Sequence, residues 1–280
     1  MAASSRASRA LLAAALAALL PGAAAAQRPV SEAPYVPTPM EVVHEMLALA
    51  APGPDDVVYD LGSGDGRIPI EAARLYGARG VGIDLDARLV QRAEENAREA
   101  GVAGRVRFVH GDLFAADLRP ATVVTLYLPA SVNLKLRPIL LEQLRPGTRV
   151  VSHSFSMGDW APDSMVTVRR PGAEFGPRVF FWVVPAKVGG SWSVMGPGGE
   201  RYALRLRQEF QRVEGTVRAG GRELPLRDVK LVGDRITFTL PEAAGGSGAG
   251  RRFAGRVEGD RIQGTLEGET GAAWGARRMP

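Results

Sequence analysis

The segment Asp60-Leu61-Gly62-Ser63-Gly64-Asp65-Gly66 is the chain's clearest chemical signal. Glycines at alternating positions let a backbone approach a ligand where a side chain would collide. The G-x-G-x-x-G of dinucleotide sites has a different spacing. Asp60 precedes the loop and can accept a hydrogen bond or pair with a cationic ligand. Asp84 follows Gly62 by 22 residues, and a carboxylate there can accept both hydroxyls of a ribose. Asp112, in His110-Gly111-Asp112-Leu113, is placed to meet an adenine amino group, with Leu113 against the ring. One acid at a strand end is most often a cap or turn former. Three, on the edge where open α/β sheets bind ligands, point to a ligand with an amino acid and a nucleoside but no phosphate.

These residues need a scaffold, and the hydrophobic pattern supplies one. Short β-branched runs at 57–61, 80–84, 106–109, 123–128 and 149–153 alternate with helical stretches. Ile68, Ala72 and Leu75 recur at helical spacing after the glycine loop, and a polar helix runs from Ala87 to about Ala100. Leu134, Leu140, Leu141 and Leu144 mark a further helix, stopped by Pro146-Gly147. Strands alternating with helices imply a largely parallel sheet covered on both faces. The runs 165–168 and 179–184 have no helix between them and read as a closing antiparallel hairpin. From Gly189 the pattern becomes alternating runs separated by Gly-rich turns, an all-β barrel or sandwich.

Asp60 to Gly66, Asp84 and Gly111-Asp112 resemble motif I and the two acidic motifs of class I S-adenosylmethionine-dependent methyltransferases. The resemblance implies a Rossmann-like seven-stranded methyltransferase sheet over about 34–186, followed by a small all-β domain over 189–280. It also implies S-adenosylmethionine as cofactor, held by Asp60, Gly62, Ser63, Gly64, Gly66, Asp84, Asp112 and Leu113. A narrower resemblance rests on Pro34-Tyr35-Val36-Pro37-Thr38-Pro39, Asn133 with Leu136, and Pro146-Gly147-x-Arg149-Val150-Val151-Ser152. These are similar to the ATP synthase c-subunit lysine methyltransferase family, and by that likeness Tyr35 and Thr38 line the cofactor pocket. The activity implied is methylation of a protein lysine. A small-molecule methyltransferase, or an exported binding protein that keeps the fold without activity, stands beside it.

Methyl transfer from a sulfonium is an in-line displacement, so catalysis can come from holding the nucleophile in near-attack geometry. Tyr127-Leu128-Pro129 follows the fourth strand and lacks the Asn-Pro-Pro-Tyr type of motif used for amide or base nitrogens. Tyr127 and Asn133 are the candidates for orienting the acceptor; alternatively Tyr127 packs and Asn133 caps a helix or faces water. His44, His110 and His153 lack metal-ligand spacing and read as structural, and no metal is expected. In the tail, Gly190-Ser191-Trp192 resembles the opening of lipocalin-type barrels, with the Trp as a core plug.

Arg6 and Arg9, the apolar run 10–20, and the alanines ending at Ala26 form a secretory signal peptide pattern over 1–26. Export, into a bacterial periplasm, is the expected location, with a mitochondrial or membrane-anchored protein as the alternative. No permanent membrane span is expected. Without those residues the balance is 33 basic to 30 acidic, too even for a nucleic-acid partner. The expected partner is a protein or small-molecule methyl acceptor.

Overall fold

The computed structural model describes residues 35–169, 176–219, 221–241, 250–269 and 271–280. The signal peptide pattern lies outside them. The described residues fall in one compact unit, Ser31–Pro280.

Helix α1 (Met40–Ala50) buries Val42, Val43, Met46, Leu47 and Ala50 along one face and stops at Ala51, whose amide caps Leu47. Strand β1 (Val57–Leu61) is buried from Val58 onward, as a central strand covered on both faces must be. There follow α2 (Arg67–Tyr76), β2 (Arg79–Asp84), α3 (Ala87–Glu99), β3 (Val106–His110), a 3-10 turn (Leu113–Ala115) and β4 (Val123–Leu126). Helix α4 (Ala130–Gln143), β5 (Arg149–His153), β6 (Ser164–Thr167) and β7 (Arg178–Val183) complete this part. The sheet has seven strands in the order β3-β2-β1-β4-β5-β7-β6. β1 to β5 pair in parallel, and β7 runs antiparallel between β5 and β6. The chain winds outward from β1 to β3 and then returns to β4. The carboxyl ends of β1 and β4 therefore flank a topological switch point, where such sheets bind ligands.

Two expectations shift. β4 stops at Leu126, and Leu128 turns back so that a Cβ on Gly62 would lie 2.9 Å from it. Leu75 sits in the last turn of α2 and stays half exposed, while Ile68, Ile70, Ala72 and Ala73 bury the helix.

The remaining strands form one antiparallel sheet: β8 (Gly190–Met195), β9 (Arg201–Glu209), β10 (Arg212–Ala219), β11 (Arg222–Pro225), β12 (Arg227–Val232), β13 (Arg235–Leu240), β14 (Arg251–Glu258), β15 (Arg261–Leu266) and β16 (Ala273–Arg278). Every neighbour is consecutive in sequence except β8 and β16, the first and last, which pair. The two end strands of the sheet, β11 and β12, are separated in sequence by Leu226 alone, so the sheet rolls into a barrel-like form. Its interior is filled rather than hollow. Phe238 stacks on Phe253 at 5.1 Å, and Trp274 meets both edge-on. Trp192 is fully buried, donates to the Val188 carbonyl (2.8 Å) and lies under the Arg278 guanidinium (4.4 Å). The β9–β10 turn joins the two sheets: Phe210 stacks on Trp160 at 6.0 Å, and Gln211 donates to the Ala161 carbonyl (2.7 Å).

Candidate active site

The glycine loop closes β1 onto β2. The amides of Gly62 and Ser63 both donate to the Ile83 carbonyl (2.9 and 3.0 Å). Gly62, Gly64 and Gly66 take φ values of 79°, 53° and 78°, the left-handed region that favours glycine. Space excludes side chains as well. A Cβ on Gly64 would stand 2.5 Å from the Tyr35 ring, and one on Gly66 2.6 Å from Phe108. The Ser63 hydroxyl is buried without a hydrogen-bond partner in the protein, and a Cβ on Gly82 would lie 2.6 Å from it. The hydroxyl thus packs toward β2, beneath the loop.

The three acids behave differently from one another. Asp84 is fixed by two backbone donors, Gly64 to Oδ2 (2.8 Å) and Asp86 to Oδ1 (2.9 Å). Each oxygen keeps acceptor capacity, because an ionised carboxylate has about four lone-pair sites. Asp60 is buried, and its Oδ1 accepts from Thr125 Oγ1 (2.7 Å). Burial pushes its carboxyl up to about 7, helped by the charges of Asp84 and Asp65 and opposed by the Thr125 bond. Asp112 is exposed and caps the 3-10 turn through Oδ1 and the Phe114 amide (2.9 Å). Leu113 is 8% exposed and packs mainly into the sheet's core, so only its rim can meet a ligand.

The lead-in is tied to this loop. Arg67 grips Asp65 (2.9 and 2.6 Å) and donates to the Thr38 carbonyl (2.8 Å). Burial opposes ionisation of Asp65, but the Arg67 bonds and charge hold its carboxyl below the usual range. Tyr35 is half exposed, and burial followed by the Asp65 charge raises its phenol. Thr38 is buried, with Oγ1 at 3.3 Å from His153 Nδ1.

On the other side of the switch point, Tyr127 stacks on His153 (centroids 3.8 Å) and faces Phe155 at 6.2 Å. Ser154, between those two rings, takes a left-handed φ of 64° without being glycine. Asn133, a candidate for orienting the acceptor, lies behind the aromatic pair. It is fully buried in the first turns of α4, and its Nδ2 donates to the Phe155 carbonyl (3.2 Å) and Ser152 Oγ (3.3 Å). Its Oδ1 has no partner. His153, Phe155 and Arg67 were not among the expected site residues. Only the position of His153 and Phe155 at the carboxyl end of β5, on the same edge as the acids, hints at them in sequence.

The donor set fits a cationic amino acid joined to a nucleoside. Side-chain-free backbone lines the loop, and acceptor-only carboxylates rim it at two strand ends. The nearby arginine, Arg67, is engaged by Asp65 and the Thr38 carbonyl rather than turned to the loop's ligand side. An open sheet of this order with that rim suits a nucleoside ligand at the switch point. Residues 60–164 match the family model of the ANTKMT methyltransferase domain. A protein-lysine N-methyltransferase of Saccharolobus islandicus is 45% identical over 140 residues, covering 50% of this chain and 87% of that protein. The adenine nucleotide translocase lysine N-methyltransferase of Mus musculus is 35% identical over 48% of this chain, which spans 58% of that protein. A solved RNA methyltransferase from Salinibacter ruber, in complex with S-adenosyl-L-homocysteine, is 60% identical. It covers 55% of this chain and 96% of its own, with a TM-score of 0.51. The chain belongs to the S-adenosylmethionine-dependent methyltransferases, and S-adenosylmethionine is its cofactor.

Proposed function

We propose that this methyltransferase acts on the ε-amine of a lysine in a protein. The observation that carries the acceptor class is the 45% identity to a protein-lysine N-methyltransferase across 87% of that protein. The aromatic group Tyr127, His153 and Phe155 supports it, because ring faces pack against a lysine's alkyl stem and exclude water from its amine. The bound cofactor supplies an electrophilic methyl on a sulfonium. Asp84 accepts the ribose hydroxyls with its remaining lone pairs, and Asp112 accepts the adenine amino group with Oδ2. Leu113 lends its rim to the ring. Asp60 ionises beside the cofactor's ammonium, and the Gly62–Gly66 backbone, with Tyr35 and Thr38, walls the amino-acid end. Tyr127 and Phe155 orient the acceptor and shield its amine from water, which favours the neutral, nucleophilic form. Asn133 is a positioning residue: its amide holds the Phe155 segment against α4.

A second reading follows from the 60% identical structure, whose acceptor class is RNA. Incubating the purified chain with methyl-labelled S-adenosylmethionine and a cell-envelope extract, then separating protein from RNA, decides between them. Label recovered as methyl-lysine supports the proposal; label confined to RNA overturns it. We further propose export through a signal peptide at 1–26, ahead of a methyltransferase domain over 34–186 and a β domain over 189–280. N-terminal sequencing that finds Met1 intact would remove the export reading.

A further inference from the structure

The barrel carries the chain's positive charge: residues 189–280 hold 15 Lys and Arg against 11 Asp and Glu. Its interior is packed, so any binding surface must lie outside. A groove of about 470 Å³ runs over the outer face of β16, bordered by β8 and β15. Trp274 and Ala276 of β16 point inward, leaving Ala273, Gly275 and Arg277 outward. Gly275 pairs with Met195 on one side and Gln263 on the other, so two longer side chains flank a bare floor.

That bare floor is not required by the fold. A Cβ on Gly275 would meet nothing closer than 3.7 Å, and its φ lies outside the left-handed region. At Gly255, by contrast, a Cβ would stand 2.6 Å from Trp274. Charge points the same way. Arg277 sits directly opposite Arg261 in the β15–β16 ladder, and opposite Ser193 toward β8. Like charges directly opposite destabilise a sheet unless something neutralises them. Among the described residues Arg201, Arg261 and Arg277 form no ion pair. The nearby acids are engaged elsewhere, Asp260 with Arg278 (2.7 Å) and Glu200 with Arg251 (2.6 Å). Glu258 lies across from Arg261 on β14 without pairing to it.

We infer that this groove is a docking site for an acidic, extended segment of the protein acceptor, its carboxylates held by Arg261, Arg277 and Arg201. Strands β8 and β15 stand roughly 10 Å apart across β16, which leaves room for one extended chain. Arginine forks bind carboxylates in bidentate fashion. Single-stranded nucleic acid relies on aromatic stacking platforms, and the aromatic side chain at this groove, Trp274, is 4% exposed. The inference rests on the protein-acceptor reading, but its test does not depend on methyl transfer.

The full chain is titrated into a fluorescein-labelled, glutamate-rich decapeptide at low ionic strength and followed by anisotropy. Saturable binding is expected, weakened about tenfold or more by Gly275→Leu, which fills the floor, and by Arg261→Gln with Arg277→Gln. Circular dichroism and thermal unfolding that match wild type report that the variant barrels fold. Equal peptide affinity in wild type and both variants, tighter binding of a ten-nucleotide single strand, or no saturable binding would each overturn the inference. Label found only on RNA in the transfer assay, with peptide binding intact, would overturn the acceptor reading and leave an acidic-segment site.

Discussion

Asp60→Asn separates the cost of the site from its use. The side chain is 3% exposed, and burial moves its carboxyl from 3.8 to about 7. A folded-state value above the unfolded one means that the stability contribution is fully present below the unfolded value and is lost as pH rises through the folded one. For this shift the loss is about 4 kcal/mol once the carboxyl is fully ionised, an upper figure because solvent relaxes around a real charge. Asparagine keeps an oxygen for the Thr125 hydroxyl at 2.7 Å and never ionises. The variant should therefore be more stable than wild type at pH 8, by as much as a few kcal/mol, and nearly equal to it at pH 4. Urea unfolding of both proteins without cofactor, at several pH values, measures the difference. Cofactor affinity should move oppositely, with Asp60→Asn binding S-adenosylmethionine much more weakly than wild type above pH 7. A stability difference that does not change between pH 4 and pH 8 would refute the reasoning.

Three other perturbations probe separate parts of the site. Asp84→Ala should weaken cofactor binding by about 1–3 kcal/mol through lost charge-assisted hydrogen bonds, with unchanged affinity in calorimetry ruling out the ribose role. Gly64→Ala forces a methyl to within 2.5 Å of the Tyr35 ring at a φ of 53°; cofactor affinity should drop at least tenfold, and retained affinity would mean that the lead-in is not fixed there. Tyr127→Ala should lower kcat for the acceptor while leaving the cofactor's Kd within about twofold, and a variant with normal turnover would remove Tyr127 from the acceptor side.

The parallel sheet was legible because its central strands are buried on both faces and read as near-continuous apolar runs, such as Val123 to Leu126. The glycines and strand-end acids were legible because backbone approach and charge placement depend on residue type at fixed offsets. The partner of Asn133 was not, since nothing local distinguishes an amide that faces ligand from one turned back onto Phe155 through tertiary packing. The stacking of His153 on Tyr127 joins residues on β5 and after β4, a pairing set by strand order rather than by spacing. In the barrel, alternation marked strands such as Arg235 to Leu240, but the β8–β16 pairing that links its first and last strands is nonlocal. The open floor at Gly275 resembles in sequence the obligatory glycine at Gly255, and only the surrounding atoms separate them.

Calorimetric titration of the purified chain with S-adenosylmethionine tests the central claim most directly. Saturable one-to-one binding is predicted, lost or strongly weakened in Asp84→Ala and competed by S-adenosyl-L-homocysteine. Absence of binding at millimolar cofactor would contradict the assignment of the glycine loop and its three acids to that ligand.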